Sequence, residues 1–393
     1  MVVRRGPVRA GEKVQLTDRK GKMLTIMLQA GAITQTDRGF LTHDLIIGQT
    51  EGTVIHTVSV AELKEIQQAD SSTNNHSVSD SSQASENTNV LADERSQRKP
   101  WKSARSSGGW AYTMMRPRLV DYTLSMPRGA QIMYPKDIAQ VISIGDIRSG
   151  MRVLESGAGS GAMSIALLDA VGEAGTLTTV EMRPEFARVA QGNATVYFGQ
   201  RPSWWRLLVG SFDEVVPTLT SHSFDRVVLD QLDPWNRLDS VWQALVPGGV
   251  LTAYITTTTQ LSRLAEALRS SGQWTEPEMV ELLERGWKAD GLAVRPQHQM
   301  IGHTGFLLVT RSMALGNQAM RKRTHATKDL YTDVDQRPDQ TADSETSAAM
   351  SDLSSLELRD ISDRKLRKVL RDLEQQERQA IAAQELYSAH VKY

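Results

Sequence analysis

A glycine-rich stretch at residues 153–163 constrains the fold of this chain more than any other feature of its sequence. An aliphatic run ends at Glu155, glycines follow at alternate positions, and a helical pattern opens directly after them; the glycines are Gly157, Gly159 and Gly161. Glycine removes the Cβ that would keep a ligand from the backbone, and a helix N-terminus leaves N–H donors free to bind it. The stretch predicts a strand, a tight turn and a helix in an α/β domain, with a nucleotide-like ligand on the turn.

Two kinds of ligand fit such a turn. The glycines match the dinucleotide-binding pattern G-x-G-x-x-G/A, and Glu181 ends the predicted strand 176–180, about 20 residues on, where an acid would bind a ribose. Glu155, however, lies directly before the glycines, where a carboxylate would repel a pyrophosphate but could accept a hydrogen bond from an ammonium group. S-adenosylmethionine carries an ammonium group and no phosphate, so we prefer it to NAD as the cofactor.

A second acidic segment follows a later strand. Residues 224–229 have a strand pattern and continue into Asp230-Gln-Leu-Asp-Pro-Trp235. Open α/β sheets bind ligands in the crevice at the carboxyl ends of their strands, so a carboxylate at this position faces the ligand. With a proline and a flat aromatic after it, Asp230 suits a planar base better than a hydride acceptor.

Charge, cysteine content and hydropathy narrow the class of protein. The 393-residue chain has a formal net charge of −1, so any RNA would have to be bound by local basic patches. It has no cysteine, which excludes disulfides, thiolate metal sites and a cysteine nucleophile. We recognise no secretory signal and no apolar run long enough to span a membrane. We expect a cytoplasmic protein that binds neither a membrane nor a metal.

Changes in composition divide the chain into segments. A predicted β-hairpin at residues 13–28 opens the chain, whereas the Ser- and Asn-rich stretch further on lacks the apolar residues needed for a core. The predicted order is a β-barrel-like domain at 1–66, a disordered insertion at 67–107, the α/β domain at 108–312, a disordered linker at 313–352 and a charged C-terminal helix at 353–393.

Several motifs together resemble one enzyme family. Segments 125–137 (with Tyr-Pro-Lys-Asp), 153–161 (the glycine loop), 230–235 (with Asp-Pro-Trp) and 300–306 (with Gly-His-Thr) resemble, in that order, the TrmI family of tRNA (adenine-N1) methyltransferases. This family forms 1-methyladenosine at position 58 in the T-loop of tRNA. The resemblance implies a small N-terminal β domain, a Rossmann-like class I methyltransferase domain, S-adenosylmethionine as cofactor, tRNA as partner and assembly as a homotetramer.

The resemblance also assigns roles to residues. Glu155 to Met163, helped by Gln131, would hold the methionine moiety of the cofactor, Glu181 its ribose and Met182 its adenine, and Asp230 would face both the cofactor and the target base. The full set implied for cofactor binding is Gln131, Glu155, Gly157, Ala158, Gly159, Ser160, Gly161, Ala162, Met163, Glu181, Met182, Phe186, Ser211, Phe212 and Asp230.

Two segments depart from the family pattern. Many relatives have Gly-Asp where this chain has Gly210-Ser211, and Asp213 is displaced by two positions, so the adenine contact there is open. Segment 254–260 keeps a tyrosine and a glutamine but lacks the family's Pro-Asn pair, which favours a different loop shape.

Methylation at N1 of adenine needs a positioned negative charge rather than a base that deprotonates the nucleophile. N1 of adenine is itself the nucleophile, and a carboxylate near the 6-amino group would stabilise the cationic product, so Asp230 is the candidate catalytic residue. Tyr134 is the second candidate catalytic residue, and both Tyr134 and Tyr254 could stack on or hydrogen-bond the base. The candidate phosphate contacts are Arg116, Arg118 and Arg128.

Two other classes of function remain open at this point. One is a methyltransferase that uses the same cofactor on a protein or a small molecule. The other is a catalytically silent RNA-binding subunit, against which Asp230 and the intact glycine loop argue.

Overall fold

The computed structural model describes residues 5–73 and 108–320 of the chain. Most of the predicted insertion, nearly all of the predicted linker and the whole predicted C-terminal helix lie outside the described residues.

The N-terminal part forms a small β domain. Its elements are β1 (Lys13–Asp18), β2 (Met23–Met27), β3 (Ile33–Thr36), β4 (Gly39–Thr42), β5 (Val54–His56), helix α1 (Val60–Thr73) and β6 (Ala111–Met115). The predicted hairpin is confirmed, because β1 and β2 pair antiparallel. A four-stranded sheet has the order β2-β1-β6-β5, and β3 and β4 form a separate hairpin.

The domain boundaries drawn from composition differ from the structure at two places. The composition predicts that residues 111–115 belong to the α/β domain, but they form strand β6, which pairs with β1 and β5 in the N-terminal sheet. Helix α1 runs to Thr73, into the stretch predicted as disordered. Strand pairing between segments far apart in sequence leaves no local signal, so composition does not show that β6 belongs to the N-terminal sheet.

The α/β domain follows. Its elements are α2 (Leu119–Ser125), α3 (Pro135–Ile144), β7 (Arg152–Ser156), α4 (Ala162–Val171), β8 (Thr176–Glu181), α5 (Pro184–Phe198), β9 (Trp205–Val209), α6 (Phe212–Val215), β10 (Phe224–Asp230), α7 (Leu238–Ala244), β11 (Leu245–Ile255), α8 (Thr258–Ser271), β12 (Glu278–Glu281), β13 (Trp287–Asp290), β14 (Ala293–Pro296) and β15 (Phe306–Arg311).

These strands form a seven-stranded sheet with the order β12-β15-β11-β10-β7-β8-β9. Strands β7 to β11 run parallel, and β15 and β12 are antiparallel additions at one edge. The chain order reverses between β7 and β10. Ligands bind at such a switch point, at the carboxyl ends of the strands.

Both faces of the sheet are covered, which explains why its strands read as apolar runs. Val153 of β7 packs in the cluster that contains α4, and its neighbour Leu154 packs in the cluster on the opposite face. Helix α4 is apolar on nearly all sides because it is buried among the strands and neighbouring helices.

Helix α3 begins at Pro135, because proline suits the first helical turn; Asp137 lies inside that turn and is fully buried. The closing strand β15 begins at Phe306, and residues 300–305 form an irregular segment before it. Within the described ranges, no helix is long and apolar enough to cross a membrane.

Candidate active site

A cavity of about 400 Å³ lies at the carboxyl ends of β7, β8, β10 and β11. That volume is within the usual range for small-molecule sites. Its lining includes Ala130, Gln131, Ser156, Gly157, Gly159, Val180, Glu181, Met182, Arg183, Phe186, Gly210, Ser211, Phe212, Asp230, Gln231, Leu232, Asp233, Arg237, Tyr254, Thr256 and Gln260.

The glycine loop packs directly against the end of β10. Gly157 has φ +92°, and a Cβ on it would overlap the main-chain carbonyl oxygen of Asp230. Gly161 has φ +85°, and a Cβ there would lie 3.0 Å from the Cα of Ala190 in α5. Only glycine can therefore occupy these two positions without moving a strand end or a helix.

Glu155 is placed differently from the sequence expectation. Its side chain is 1% exposed and does not line the cavity. Its carboxylate accepts hydrogen bonds from Ser164 Oγ (2.7 and 2.9 Å) and Thr179 Oγ1 (2.7 Å), and burial raises its pKa to about 7. The prediction that Glu155 contacts a ligand ammonium group is therefore wrong. Its carboxylate instead links β7 to α4 and β8 through hydrogen bonds.

Glu181 lies at the end of β8, where it both binds the glycine loop and lines the cavity. One carboxylate oxygen accepts from Gly159 N at 3.0 Å, and the other accepts from Arg183 N at 3.0 Å. The side chain is buried against protein but lines the cavity, so it can still accept from a ligand hydroxyl. Beside it, the Arg183 guanidinium lies 4.0 Å from the ring centre of Phe186.

Asp230 is the carboxylate that faces the cavity from β10. Burial is the main cause that raises its pKa to about 6, and the negative charge of Glu181 adds to it. Tyr254 is paired in register with Asp230 on the neighbouring strand β11. Burial and the nearby acids Asp137 and Asp230 raise the pKa of Tyr254 to about 12.

The remaining predicted cofactor residues fall into two groups. Gln131, Met182, Phe186, Ser211 and Phe212 line the cavity. The cavity lining does not include the predicted catalytic residue Tyr134, nor Ala158, Ser160, Gly161, Ala162 and Met163.

Ser160 of the glycine loop binds the segment that precedes Gln131. Its Oγ accepts from the N–H groups of Gly129 and Ala130 at 3.1 Å each and donates to Ala130 O at 3.0 Å. These bonds hold the residues before Gln131 against the loop. Ser160 therefore helps to form the wall of the cavity without lining it.

Sequence reasoning missed one side of the cavity, which includes Gln231, Asp233, Arg237 and Gln260. Arg237 forms ion pairs with Asp213 and with Asp233 (3.4 Å). The Asp213 carboxylate also accepts from Ser240 Oγ at 2.9 Å, and Asp213 is not among the residues that line the cavity. The Asp-Pro-Trp motif was the available signal, because it places these residues directly after β10.

The three candidate phosphate-binding arginines differ in availability. Arg116 is nearly buried, with ion pairs of 2.8 Å to Glu12 and to Glu51 of the β domain. The expectation for Arg116 is corrected, because its guanidinium is neutralised inside the protein. Arg118 is exposed beside Asp121, at 2.8 Å, and Arg128 is exposed and donates to Leu124 O at 2.6 Å.

The charges around the cavity suit a cationic ligand better than a pyrophosphate. The lining carboxylates belong to Glu181, Asp230 and Asp233, whereas its cations are Arg183 and Arg237, and Arg237 is already paired with acids. Among the described residues, no cluster of acids and histidines could hold a metal ion.

Comparisons with known proteins agree with this geometry. Residues 6–55 match the TrmI-like N-terminal family, and residues 109–292 match the family described as the tRNA methyltransferase complex GCD14 subunit. The tRNA (adenine(58)-N(1))-methyltransferase TrmI of Thermus thermophilus is 33% identical over 212 residues, which cover 54% of this chain and 81% of that protein. The chain belongs to the TrmI family of tRNA (adenine-N1) methyltransferases.

Further members and structures fit the same family. The TrmI of Methanocaldococcus jannaschii, named for adenines 57 and 58, is 30% identical and covers 53% of this chain and 80% of that protein. A crystal structure of TrmI from Aquifex aeolicus has a TM-score of 0.58 at 22% identity and covers 79% of this chain and 100% of that chain. A SAM-dependent O-methyltransferase from Thermotoga maritima reaches 0.61 at 23% identity and covers 81% and 97%. These two structures support the class I methyltransferase fold of this TrmI family member.

Proposed function

We propose that this chain transfers a methyl group from S-adenosylmethionine to N1 of adenine 58 in the T-loop of tRNA. The observation that carries the proposal is the position of Asp230, a poorly solvated carboxylate that faces the cavity beside the glycine loop. Membership of the TrmI family supplies the substrate class.

The residues around the loop fit S-adenosylmethionine, which supplies an electrophilic methyl group when bound. Glu181 would accept from the ribose hydroxyls, and Met182 and Phe186 would pack on the adenine. Gln131 and the backbone at Gly157 and Gly159 would hold the methionine end. The excess of carboxylates at the cavity favours this cationic cofactor over a dinucleotide.

Asp230 would stabilise the charge that forms during transfer. N1 of adenine attacks with its own lone pair, and the adenine becomes positively charged. A preorganised carboxylate in a poorly solvated site stabilises such a charge without reorganisation. Asp230 can also accept a hydrogen bond from the 6-amino group, which orients N1 toward the methyl group.

The target adenine must leave the folded T-loop to reach the cavity, at a cost of about a few kcal/mol. Contacts to the phosphate backbone would offset this cost. We propose Arg118, Arg128 and a cationic surface on the β domain, where Arg38, Arg19 and Lys20 lie 4.7, 4.8 and 5.9 Å from the ring centre of Trp110. Arg19, Lys20 and Arg38 are exposed and replace Arg116 in this role.

We also propose that copies of the chain associate as a homotetramer that acts in the cytoplasm. The β13–β14 hairpin supports association, because it presents Trp287 (60% exposed), Val294 (61%) and the fully exposed Leu292. Apolar groups gathered on one hairpin are typical of a protein interface. Light scattering on the purified protein would measure the mass; a monomer would contradict this part of the proposal.

Methyl transfer from labelled S-adenosylmethionine to unmodified tRNA tests the main proposal. We expect label in tRNA and none in protein or small-molecule acceptors. Parallel reactions with Asp230→Ala should lose the transfer but keep tRNA binding. Label that enters an acceptor other than tRNA would favour a different methyltransferase, and an Asp230→Ala protein as active as the parent would remove Asp230 from the mechanism.

A further inference from the structure

A partly buried polar network joins the first turn of α3 to the segment before β15. The Lys136 ammonium lies 2.7 Å from Asp137 Oδ1 and 2.6 Å from Thr304 Oγ1, and Thr304 Oγ1 lies 2.7 Å from Asp137 Oδ2. An ammonium group only donates hydrogen bonds, and a carboxylate only accepts them. The Thr304 hydroxyl therefore accepts from Lys136 and donates to Asp137, which fixes the position of Thr304.

The main chain of Thr304 in turn fixes the hydroxyl of Tyr254. Tyr254 Oη lies 2.6 Å from the carbonyl oxygen of Thr304. A carbonyl oxygen can only accept, so the phenol proton points at Thr304. The phenol oxygen then has only lone pairs for a ligand in the cavity.

Tyr254 and Asp230 form a pair of acceptors at the edge of the sheet. They are partners in register on the parallel strands β11 and β10, and both line the cavity. Neighbouring strands lie about 5 Å apart, and residues in register share one face of the sheet. The carboxylate and the phenol oxygen, whose proton is already bonded to Thr304, can each accept one hydrogen bond from a ligand. A ligand group with two N–H bonds would satisfy both acceptors.

We propose that Tyr254 and Asp230 together recognise the 6-amino group of the target base, and that Thr304, Lys136 and Asp137 are positioning residues that keep Tyr254 an acceptor. This inference rests on the proposed function. Adenine presents an amino donor at position 6, whereas guanine presents an oxygen acceptor there. Two fixed acceptors repel the oxygen of guanine. The site therefore selects adenine through its 6-amino group, whereas the methyl group goes to N1.

Gly305 offers a second way to perturb the same contact. A Cβ at Gly305 would lie 2.5 Å from Cζ of Tyr254. Gly305→Ala therefore moves the tyrosine ring without removing any polar group from the cavity.

The test compares two tRNAs that differ only at position 58, one with adenosine and one with purine riboside, which lacks the 6-amino group. Single-turnover methylation rates are measured for the parent, Tyr254→Phe, Thr304→Val, Thr304→Ser and Gly305→Ala. The intrinsic reactivity of each N1 is the same for every variant. The ratio of the adenosine rate to the purine rate therefore reports recognition of the amino group alone.

We expect Tyr254→Phe to lower the adenosine rate about tenfold and to leave the purine rate nearly unchanged, as the loss of one hydrogen bond to the substrate predicts. Thr304→Val and Gly305→Ala should also lower the ratio of the adenosine rate to the purine rate. Thr304→Ser keeps the hydroxyl and should therefore keep the ratio of the parent protein. Variants that lower both rates equally, with an unchanged ratio, would overturn the inference.

The outcomes separate this inference from the function on which it rests. A parent protein that does not methylate adenosine 58 contradicts the proposed function. A parent that does so, but whose variants keep the parent ratio, contradicts only the inference. If Tyr254→Phe does not fold, Thr304→Val and Gly305→Ala decide the result in the same way.

Discussion

At the scale of single residues, burial raises the pKa of two acids that have different tasks. Glu155 (pKa about 7) is enclosed by the hydroxyls of Ser164 and Thr179, whereas Asp230 (pKa about 6) faces the cavity. A carboxylate that is charged at neutral pH but poorly hydrated interacts strongly with a nearby positive charge. Only Asp230 is placed to use that property on a ligand.

The charge of Asp230 should control the rate of methyl transfer. Asp230→Asn keeps the shape of the side chain but removes the negative charge, and we expect a loss of about 100-fold in the single-turnover rate. The parent rate should rise about tenfold per pH unit up to a pH of about 6, the pKa of Asp230, and then level off. Quench-flow measurements between pH 5 and 8 check both statements. A parent profile without an inflection near pH 6 would contradict the role of this carboxylate.

The same substitution should stabilise the fold. Because folding raises the pKa of Asp230 from 3.8 to about 6, its contribution to stability is greatest below pH 3.8 and is lost as the pH rises through 6. Asp230→Asn should therefore raise the free energy of unfolding by about 1–3 kcal/mol at pH 7.5, and by much less at pH 4.5. Urea unfolding at the two pH values measures it, with exposed Asp239→Asn as the control. Equal effects at both pH values would show that the gain has another cause.

At the scale of elements, the site depends on the junction between β7 and α4. The loop between them can pack against the end of β10 only because Gly157 has no side chain. The same contact places the loop beside Asp230.

Two alanine substitutions in the loop should differ in cost. A Cβ at Gly157 would overlap the Asp230 carbonyl, whereas a Cβ at Gly159 (φ +51°) meets only Ala130 Cβ at 3.5 Å. We expect Gly159→Ala to cost about 1 kcal/mol for its backbone conformation and Gly157→Ala at least about 2 kcal/mol more. Thermal unfolding without cofactor measures the difference. Equal costs would mean that the contact with Asp230 does not constrain the loop.

Local patterns were sufficient for some elements and not for others. The strand, glycine turn and helix at β7 and α4 were predictable, because glycine spacing and apolar periodicity are local signals. The direction of the Glu155 side chain was not. Successive residues of a strand face opposite sides, and only the packed sheet shows that Ser156 faces the cavity while Glu155 faces α4. The contact of Tyr254 with Thr304 joins residues 50 positions apart and had no local signal either.

At the scale of the whole molecule, the β domain and the α/β domain contribute different parts of the proposed activity. The chain is close to neutral overall, so attraction to tRNA depends on where its cations lie. The structure separates a buried arginine, Arg116, from exposed ones around Trp110. The sequence alone treats them as equivalent because it gives no burial.

This separation predicts opposite effects of two arginine replacements. Arg116→Met leaves Glu12 without its partner and should lower the free energy of unfolding by about 1–3 kcal/mol, with no change in the salt dependence of tRNA binding. The double variant Arg19→Ala/Arg38→Ala should leave the melting temperature nearly unchanged. Its slope of log affinity against log salt should fall by about 1–2, as the loss of two phosphate contacts requires.

Fluorescence anisotropy with labelled tRNA over a salt series measures these slopes. Arg201→Ala/Arg206→Ala, which removes two exposed cations at and next to strand β9, is the matched control. If the Arg19/Arg38 variant keeps the parent slope, the surface around Trp110 does not bind the tRNA backbone.

The most direct test of the whole account is the position of the methyl group in the product. Unmodified tRNA is incubated with the protein and S-adenosylmethionine, and nuclease fragments are sequenced by mass spectrometry, with a transcript carrying guanosine at position 58 as the control. The account predicts 1-methyladenosine at position 58 and no methylation at position 58 of the control. Methylation at an atom other than N1 of that adenine, or an unmodified adenine 58 after complete reaction of a control methyltransferase, would contradict it.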